Sequence, residues 1–420
     1  MNGLKLPTLA WRNIWRNTRR TLITLFSIAF GTLLAVVMTG IGDSSYSELI
    51  DHAARLGGGH VIVQHSTYLD APSLKKTVTV GPELIDEIRA QPRVRAAVPR
   101  VTGGVMLATS TNNVGAAVLG IDPNAEDETT LGLVDSIVEG EMFSSPDEEG
   151  IILGSVLAEN LGVTLGKKVV YTVTDKSGEI ASGLARVSGI ITTGATEVDA
   201  GTCLLPINPF RELLGYAPNE FTQVAVFLDD HRAAKDVAVA LDAKIGGQLG
   251  PVSATLPWYD AQPDLAGFVS MKVNGTIVME LIVTVLIAAG IFNTLFVSVM
   301  ERMRELGIMA AIGFSGRQLF SLVLWESLWL GLCGIVAGAL LTAWPYYYLS
   351  TTGIDVAQAT GSEGQVQVSG VSMAPMIYAD IYLPHLLGIA LAVVIATMAA
   401  GLYPAYKASS VSPVEAIRTV

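Results

Sequence analysis

The chain has 420 residues, 50% of them hydrophobic and 15% charged, with a mean hydropathy of +0.49. Soluble domains carry roughly 25% charged residues, so this balance argues against a purely soluble enzyme. A net charge of −12 argues against a nucleic-acid partner, whose phosphates demand a basic surface, and two cysteines, Cys203 and Cys333, cannot form a disulfide framework.

The apolar residues are concentrated in four runs. A bilayer core of about 30 Å needs roughly 20 apolar residues as helix, because the backbone must satisfy its own hydrogen bonds there. Residues 1–20 come first, with Lys5, Arg12, Arg16, Arg19 and Arg20 and no acid. Trp11, Ile14 and Trp15 share one helical face and the arginines recur along another, which predicts an interfacial helix on the inner leaflet. A plain topology signal of scattered arginines predicts the same sidedness. Residues 21–42 then run without a charge and form the first span. They exceed the roughly 7–15-residue core of a signal peptide, so an uncleaved anchor is expected.

Residues 43–272 hold 16 basic and 30 acidic side chains, the composition of a solvated domain. Strand patterns at 59–65, 101–107, 150–153, 168–173 and 185–191 alternate with helical ones at 81–89 and 155–161. The expectation is an α+β domain of two subdomains with a boundary near 135–140. Its motifs carry no chemistry of their own. The Gly162–Lys167 stretch has three residues between its glycines and Lys168 where a phosphate loop has Ser or Thr. His52, His60 and His65 lack carboxylates or cysteines at metal spacing, so no metal is expected.

Three further spans follow at 275–300, 319–348 and 381–406. Glu280 and Glu326 are their acids; each lies near the end of its span with no basic residue within the spans to pair with, which predicts interfacial placement rather than a proton relay. The 301–317 connection carries Arg302, Arg304 and Arg317, and the 407–420 tail carries Lys407 and Arg418. The 349–380 loop has Asp355, Glu363 and Asp380 and no Lys or Arg. Basic residues stay on the cytoplasmic side, so both termini and 301–317 are expected inside, and 43–272 and 349–380 outside. The predicted fold class is a membrane α-helical protein of four transmembrane helices, with a large α+β extracytoplasmic domain between helices 1 and 2.

Pro263 to Arg304 reads as one helix of 42 positions, about 60 Å long at 1.5 Å per residue and twice the hydrocarbon thickness. Such a rod carries motion across a bilayer without a conducting channel. Beyond it, Glu301 to Gln318 reads either as a short amphipathic helix between Gly307 and Gly313, a knob for a partner's groove, or as a polar hairpin between spans. The pattern leaves both open.

Three stretches carry a family resemblance: Ala10-Trp-Arg-Asn-Ile-Trp-Arg-Asn-Thr-Arg-Arg-Thr21 continuing to Gly31, Glu301-Arg-Met-Arg-Glu-Leu-Gly-Ile308 with Ala311-Ile-Gly313 and Gln318, and Tyr403-Pro-Ala-Tyr-Lys-Ala408 with Ser412 to Arg418. With the 150–166 and 187–190 blocks, the chain resembles the FtsX/MacB-type (type VII) ABC transporter permeases along nearly its whole length, and most of all the lipoprotein-releasing LolC/LolE type. The resemblance implies a bacterial inner-membrane subunit, paired with a second permease subunit as homodimer or heterodimer. It also implies that ATP and magnesium sit on a separate ABC ATPase, with no cofactor or catalytic residue in this chain. Residues 301–317 would be the coupling helix on that ATPase, through Glu301, Arg302, Arg304, Glu305, Gly307, Ile308, Ala311 and Gly313. Cargo would be lipoproteins handed to a periplasmic chaperone, with an apolar surface at Phe30, Leu33, Val37, Ile291 and Phe292. The alternatives within the family are MacB-like efflux through an adaptor and FtsX-like control of a cell-wall hydrolase.

Overall fold

The fold is that of a computed structural model describing residues 6–250, 252–355, 367–368, 371–372 and 376–411. The expected tail beyond 411 and most of 356–375 lie outside the described residues. The chain divides into a helical unit (Met1–Ser45, Ser270–Ala359 and Met376–Val420) and an α/β unit (Tyr46–Val269 with Thr360–Pro375). Helix α1 (Leu6–Ile14) runs through a 3-10 turn into α2 (Thr18–Ala53), which closes on a wide π-helical turn at Ala54–Gly58.

In the α/β unit, β1 (Val61–His65) lies between two strands from the far end of the domain. A ribbon of β2 (Val78–Thr79) leads to α3 (Pro82–Arg89), where Pro82 opens the helix and Leu84, Ile85 and Ile88 face inward. Strand β3 (Val94–Ala108) is followed by β4 (Asn113–Ile121), β5 (Ile137–Gly140), β6 (Gly150–Gly154), α4 (Ser155–Leu161), β7 (Lys168–Thr174) and β8 (Ile180–Ile191). Next come α5 (Thr196–Gly201), β9 (Thr202–Pro206), α6 (Ile207–Leu213), β10 (Glu220–Phe221), which pairs with β2, and β11 (Gln223–Leu228). Helix α7 (Ala234–Leu249), β12 (Ser253–Pro257) and α8 (Trp258–Ala261) complete the unit.

Two assemblies share β3. Its first half closes an antiparallel sheet of order β12–β1–β11–β3. Its second half pairs with both β4 and β7, and because β7 also pairs with β8, the strands β3–β4–β9–β6–β8–β7 close into a ring with no free edge. Alternation directs Val105, Leu107, Val118, Ile151, Leu153, Val169, Tyr171 and Val187 into its core, where Cys203 is also buried and its thiol pKa pushed up. The ring strands are inserted between the two halves of the sheet. The expected boundary near 135–140 therefore falls inside the ring, because one continuous 15-residue strand serves both assemblies.

The helical unit continues with α9 (Pro263–Glu301), α10 (Met303–Ala311), α11 (Gly316–Thr351) and α12 (Leu383–Ser409). Together with the α1–α2 segment, the described chain has four helices long and apolar enough to cross a membrane. Ser315 and Gln318 form a reciprocal capping box at the start of α11. Helix α11 packs on α2 through glycines: a Cβ at Gly334 would stand 2.4 Å from Ile28 and one at Gly338 2.8 Å from Thr32. Small residues at such crossings let backbones approach where lipid offers no hydrophobic drive. Ile14, Leu25, Ile28, Ile291, Leu295, Leu330, Val393 and Ala400 form the core of the bundle. Helix α1 turns Ala10 and Ile14 inward against this bundle, while Trp11 meets Trp329 edge-on at 5.2 Å.

One correction concerns the long helix. It ends at Glu301 rather than running to Arg304, because Arg302 leaves helical geometry (φ −101°, ψ 9°). Arg302 turns its guanidinium toward buried Glu326, a partner that a straight continuation is not built to reach.

Candidate functional site

Helix α10 opens after the Arg302 break, with the Leu306 N–H donating to the Arg302 carbonyl at 3.0 Å. It stops at Gly313, whose φ of +107° lies where only glycine sits without strain. Leu306 and Gly307 are buried on its inner face, Leu306 in a cluster with Val299, Leu319, Val323 and Ala405. The opposite face presents Arg304, Ile308, Ala311 and Ile312, positions i, i+4, i+7 and i+8 of one helical stripe. Ile312 is 76% exposed and Ile308 45%. The helix is thus a small knob with an apolar tip and a cationic shoulder.

A network of charges fixes the knob to the rest of the bundle. Arg16 donates to both carboxylate oxygens of Glu305, one bond being 2.8 Å. One turn on, Arg20 donates to both oxygens of Glu301 at 2.7 Å. Arg302 donates to Glu326 at 3.1 and 3.3 Å, and the Asn13 amide donates to the same carboxylate at 2.8 Å. These side chains surround a polar cavity of about 290 Å³, also lined by Asn17, Thr21, Thr294 and Ser298. Hydrogen bonds from Arg16 hold the Glu305 carboxyl below the usual carboxylate range. The pair is therefore complete at neutral pH and is lost only as pH falls through that depressed value. Arg16 and Glu305 are both well exposed, and pairs of that kind contribute at most about 1 kcal/mol. Glu326 is different: its side chain is 7% exposed, so it needs both partners.

These contacts revise the reading of one intramembrane acid and add a partner to the other. Glu326 is buried and paired rather than interfacial, because its cation comes from the turn after α9 and not from a span. Glu280 accepts a hydrogen bond from Thr39 of α2. Of the eight expected coupling residues, the structure exposes Arg304, Ile308, Ala311 and Gly313; Gly307 is buried, and Glu301, Arg302 and Glu305 are engaged within the chain. Arg16, Arg20 and Asn13 were not anticipated. A signal for them existed, since Arg16/Arg20 and Glu301/Glu305 are both spaced i,i+4, complementary stripes of opposite charge.

The expected apolar surface divides in the same way. Phe30 and Phe292 are exposed, and Phe30 stacks with Phe26 at 6.2 Å. Leu33 is half-buried. Ile291 is fully buried and Val37 nearly so, which makes them packing residues of the bundle, not surface. Among the histidines, both ring nitrogens of His60 are occupied: Nε2 bonds Asp51 at 2.8 Å and Nδ1 accepts the Leu228 N–H at 3.0 Å.

Within the α/β unit, the points where the chain enters and leaves converge on one place. The Gly57 carbonyl, in the π-helical turn that closes α2, accepts from Arg100 Nη1 at 3.0 Å and from Gln223 Nε2 at 2.6 Å. The Trp258 N–H, five residues before α9 begins at Pro263 and leads out of the domain, donates to the His60 carbonyl at 2.9 Å. Arg100 is fully buried, bidentate to Glu126 at 2.7 and 2.8 Å, bonded to the Thr130 carbonyl at 2.8 Å, and lies 5.4 Å from the Phe227 ring centroid.

Comparison with known proteins gives two family matches. Residues 21–244 match the MacB-like periplasmic core domain and residues 277–413 the FtsX-like permease C-terminal domain. The chain is 26% identical over 345 residues to the lipoprotein-releasing system transmembrane protein LolC of Xylella fastidiosa, covering 78% of each chain. It is 21% identical to the lipoprotein-releasing system transmembrane protein LolE of Haemophilus influenzae, covering 96% of this chain and 95% of that one. The pyoverdine export ATP-binding/permease protein PvdT of Pseudomonas putida is 24% identical over 97% of this chain, which spans only 58% of PvdT.

Proposed function

Since this chain belongs to the MacB/FtsX family of ABC transporter permeases, we propose that it is the membrane subunit of a machine that lifts lipoproteins out of the bacterial inner membrane, powered by a separate ABC ATPase. The observation that carries this reading is the correspondence with LolE over 96% of this chain and 95% of that one. In this reading both termini and α10 are cytoplasmic and the α/β unit lies outside. The knob of Ile308 and Ile312 seats in a groove of the ATPase, and a second permease subunit completes the complex. ATP-driven closure displaces α10, the Arg302–Glu326 pair passes the displacement to α11, and the Arg16 and Arg20 pairs pass it to α2. The Arg100 hub then receives the end of α2 inside the domain. The work is large: each acyl methylene leaving the bilayer costs about 0.8 kcal/mol, so a triacylated anchor does not leave unaided. The exposed Phe26–Phe30 stack on α2 offers an apolar surface to those chains.

The match to PvdT favours one second reading, export of a small molecule through an adaptor. Depletion of this protein separates the two. Lipoprotein release predicts that mature outer-membrane lipoproteins accumulate in the inner membrane within a few generations. Correct lipoprotein sorting, with loss of an exported small molecule instead, would refute it.

A further inference from the structure

Three of the chain's five histidines, His52, His60 and His231, gather around Asp51 near the end of α2. Asp51 and His52 belong to the part of α2 beyond the 21–42 span, His60 directly precedes β1, and His231 opens the 3-10 turn His231–Ala233 after β11. None of them takes part in the site at α10.

The His60 ring has one proton to donate and one lone pair to offer, and both are in use. It is 1% exposed, and its Nδ1 accepts the Leu228 N–H at 3.0 Å. The proton therefore sits on Nε2 and is donated to Asp51 at 2.8 Å. A second proton on the ring would set N–H against N–H and break the bond to Leu228, the last residue of β11.

The other charged groups facing the cluster are Glu48 of α2, Arg55 of the turn that closes it, and Asp230 and Arg232 at the 3-10 turn, where Arg232 also bonds Ser47 at 3.4 Å. Burial keeps His231 and His52 below the ordinary histidine range, with Arg55 adding to the effect at His52. Burial opposes charge on Asp51, but the hydrogen bond and charge of His60 outweigh it and hold that carboxyl below the usual range. Burial and the neighbouring Asp51 push Glu48 up. Acid therefore discharges Glu48 while three imidazoles gain charge, and these eight groups pass from one net negative charge to three net positive ones. A histidine depressed in the fold contributes stability that is complete above about 6.5 and is lost as pH falls through its folded value. Glu48 runs the other way, since acid relieves its buried charge; it is one group against three.

We propose that this cluster is an acid-sensitive joint: when the medium acidifies, the last turns of α2 and the end of β11 lose their hold on each other, and α2 transmits less motion into the α/β unit. Gly57, whose carbonyl enters the Arg100 hub, lies two residues past Arg55, so the loosening reaches the place where the domain receives α2. The link to the medium rests on the reading that places the α/β unit outside; the response of the joint to protons does not.

The test is hydrogen exchange on the full-length protein in nanodiscs at pH about 7.5 and about 5, either side of the ordinary histidine value of about 6.5, with rates corrected for their intrinsic pH dependence. Peptides covering 226–233 are expected to lose protection about fivefold in acid, the value of one net hydrogen bond, and those covering 46–58 to loosen with them, while β7 and β8 keep theirs. His52→Gln with His231→Gln cannot gain the two charges and should hold 46–58 close to its neutral protection. His60→Asn sets an amide oxygen in place of Nδ1 and should make the Leu228 amide insensitive to acid. Should His60→Asn fail to fold, the double variant, at two half-buried positions, decides alone. Acid loss that persists unchanged in the double variant overturns the proposal. So does a loss shared equally by β7 and β8, the mark of general acid unfolding, or no loss at all in the unmodified chain. Nanodiscs expose both faces of the protein, so an error in sidedness would leave each of these outcomes as it is.

Discussion

Glu126→Leu is expected to cost the α/β unit about 3–5 kcal/mol, because it strands the buried Arg100 guanidinium. In the native fold that guanidinium has four bonds to Glu126, Gly57 and Thr130. With Glu126 gone, two carbonyls remain and no counter-charge. The effect is legible in the full-length protein by hydrogen exchange, since protection in β3 and β11 should fall by at least about a hundredfold at 1.4 kcal/mol per decade. The double variant Arg100→Met with Glu126→Leu should recover most of that loss, as apolar residues of similar volume often replace a buried pair without penalty. Undiminished protection in the single variant would show that the hub does not hold the end of α2. A double variant as exchange-labile as the single would mean that side-chain volume rather than charge governs the site.

The largest functional effect is expected at the knob. Ile308→Asp with Ile312→Asp should reduce ATPase copurification and ATP-driven activity to background, because two charges would enter the interface proposed for the two exposed isoleucines. Both side chains point away from the bundle, so the thermal stability of the helical unit should change by less than about 0.5 kcal/mol, as for other surface changes. Charge removal should instead weaken the hold of α2 on the end of α9 at Glu301, and of the 3-10 turn before α2 on α10 at Glu305, since those carboxylates are held by Arg20 and Arg16. Retained ATPase binding in the isoleucine variant would move the docking surface elsewhere.

Much of the architecture is written locally in the chain. Four apolar runs give the four long helices, Pro82 and Pro263 open helices, Gly162 ends one in left-handed geometry (φ +67°), and alternation marks β7 and β8. What the sequence conceals is pairing at long range. Arg16 and Glu305 are 289 positions apart, and Arg302 meets Glu326 only because the chain turns between them. The nested order of sheet and ring follows from β3 pairing on both halves, which no local pattern encodes. The sequence places Ile291 on a surface for a related reason. Helix α9 is apolar on every side, so in a membrane its sequence holds no stripe to tell a packing face from a lipid face. Burial settled it: Ile291 packs with Ile28 and Leu295, while Phe292, one residue on, is exposed.

The central claim is that a partner ATPase seats on α10, across the bilayer from the α/β unit. A photo-crosslinking residue placed at Ile312 in cells tests it most directly, with Ile180, an exposed position on β8, as its counterpart. The account predicts one dominant adduct from position 312, formed with an ATP-binding protein, and none with that protein from position 180. An ATPase adduct from position 180, or its absence at 312 in an active complex, would contradict it.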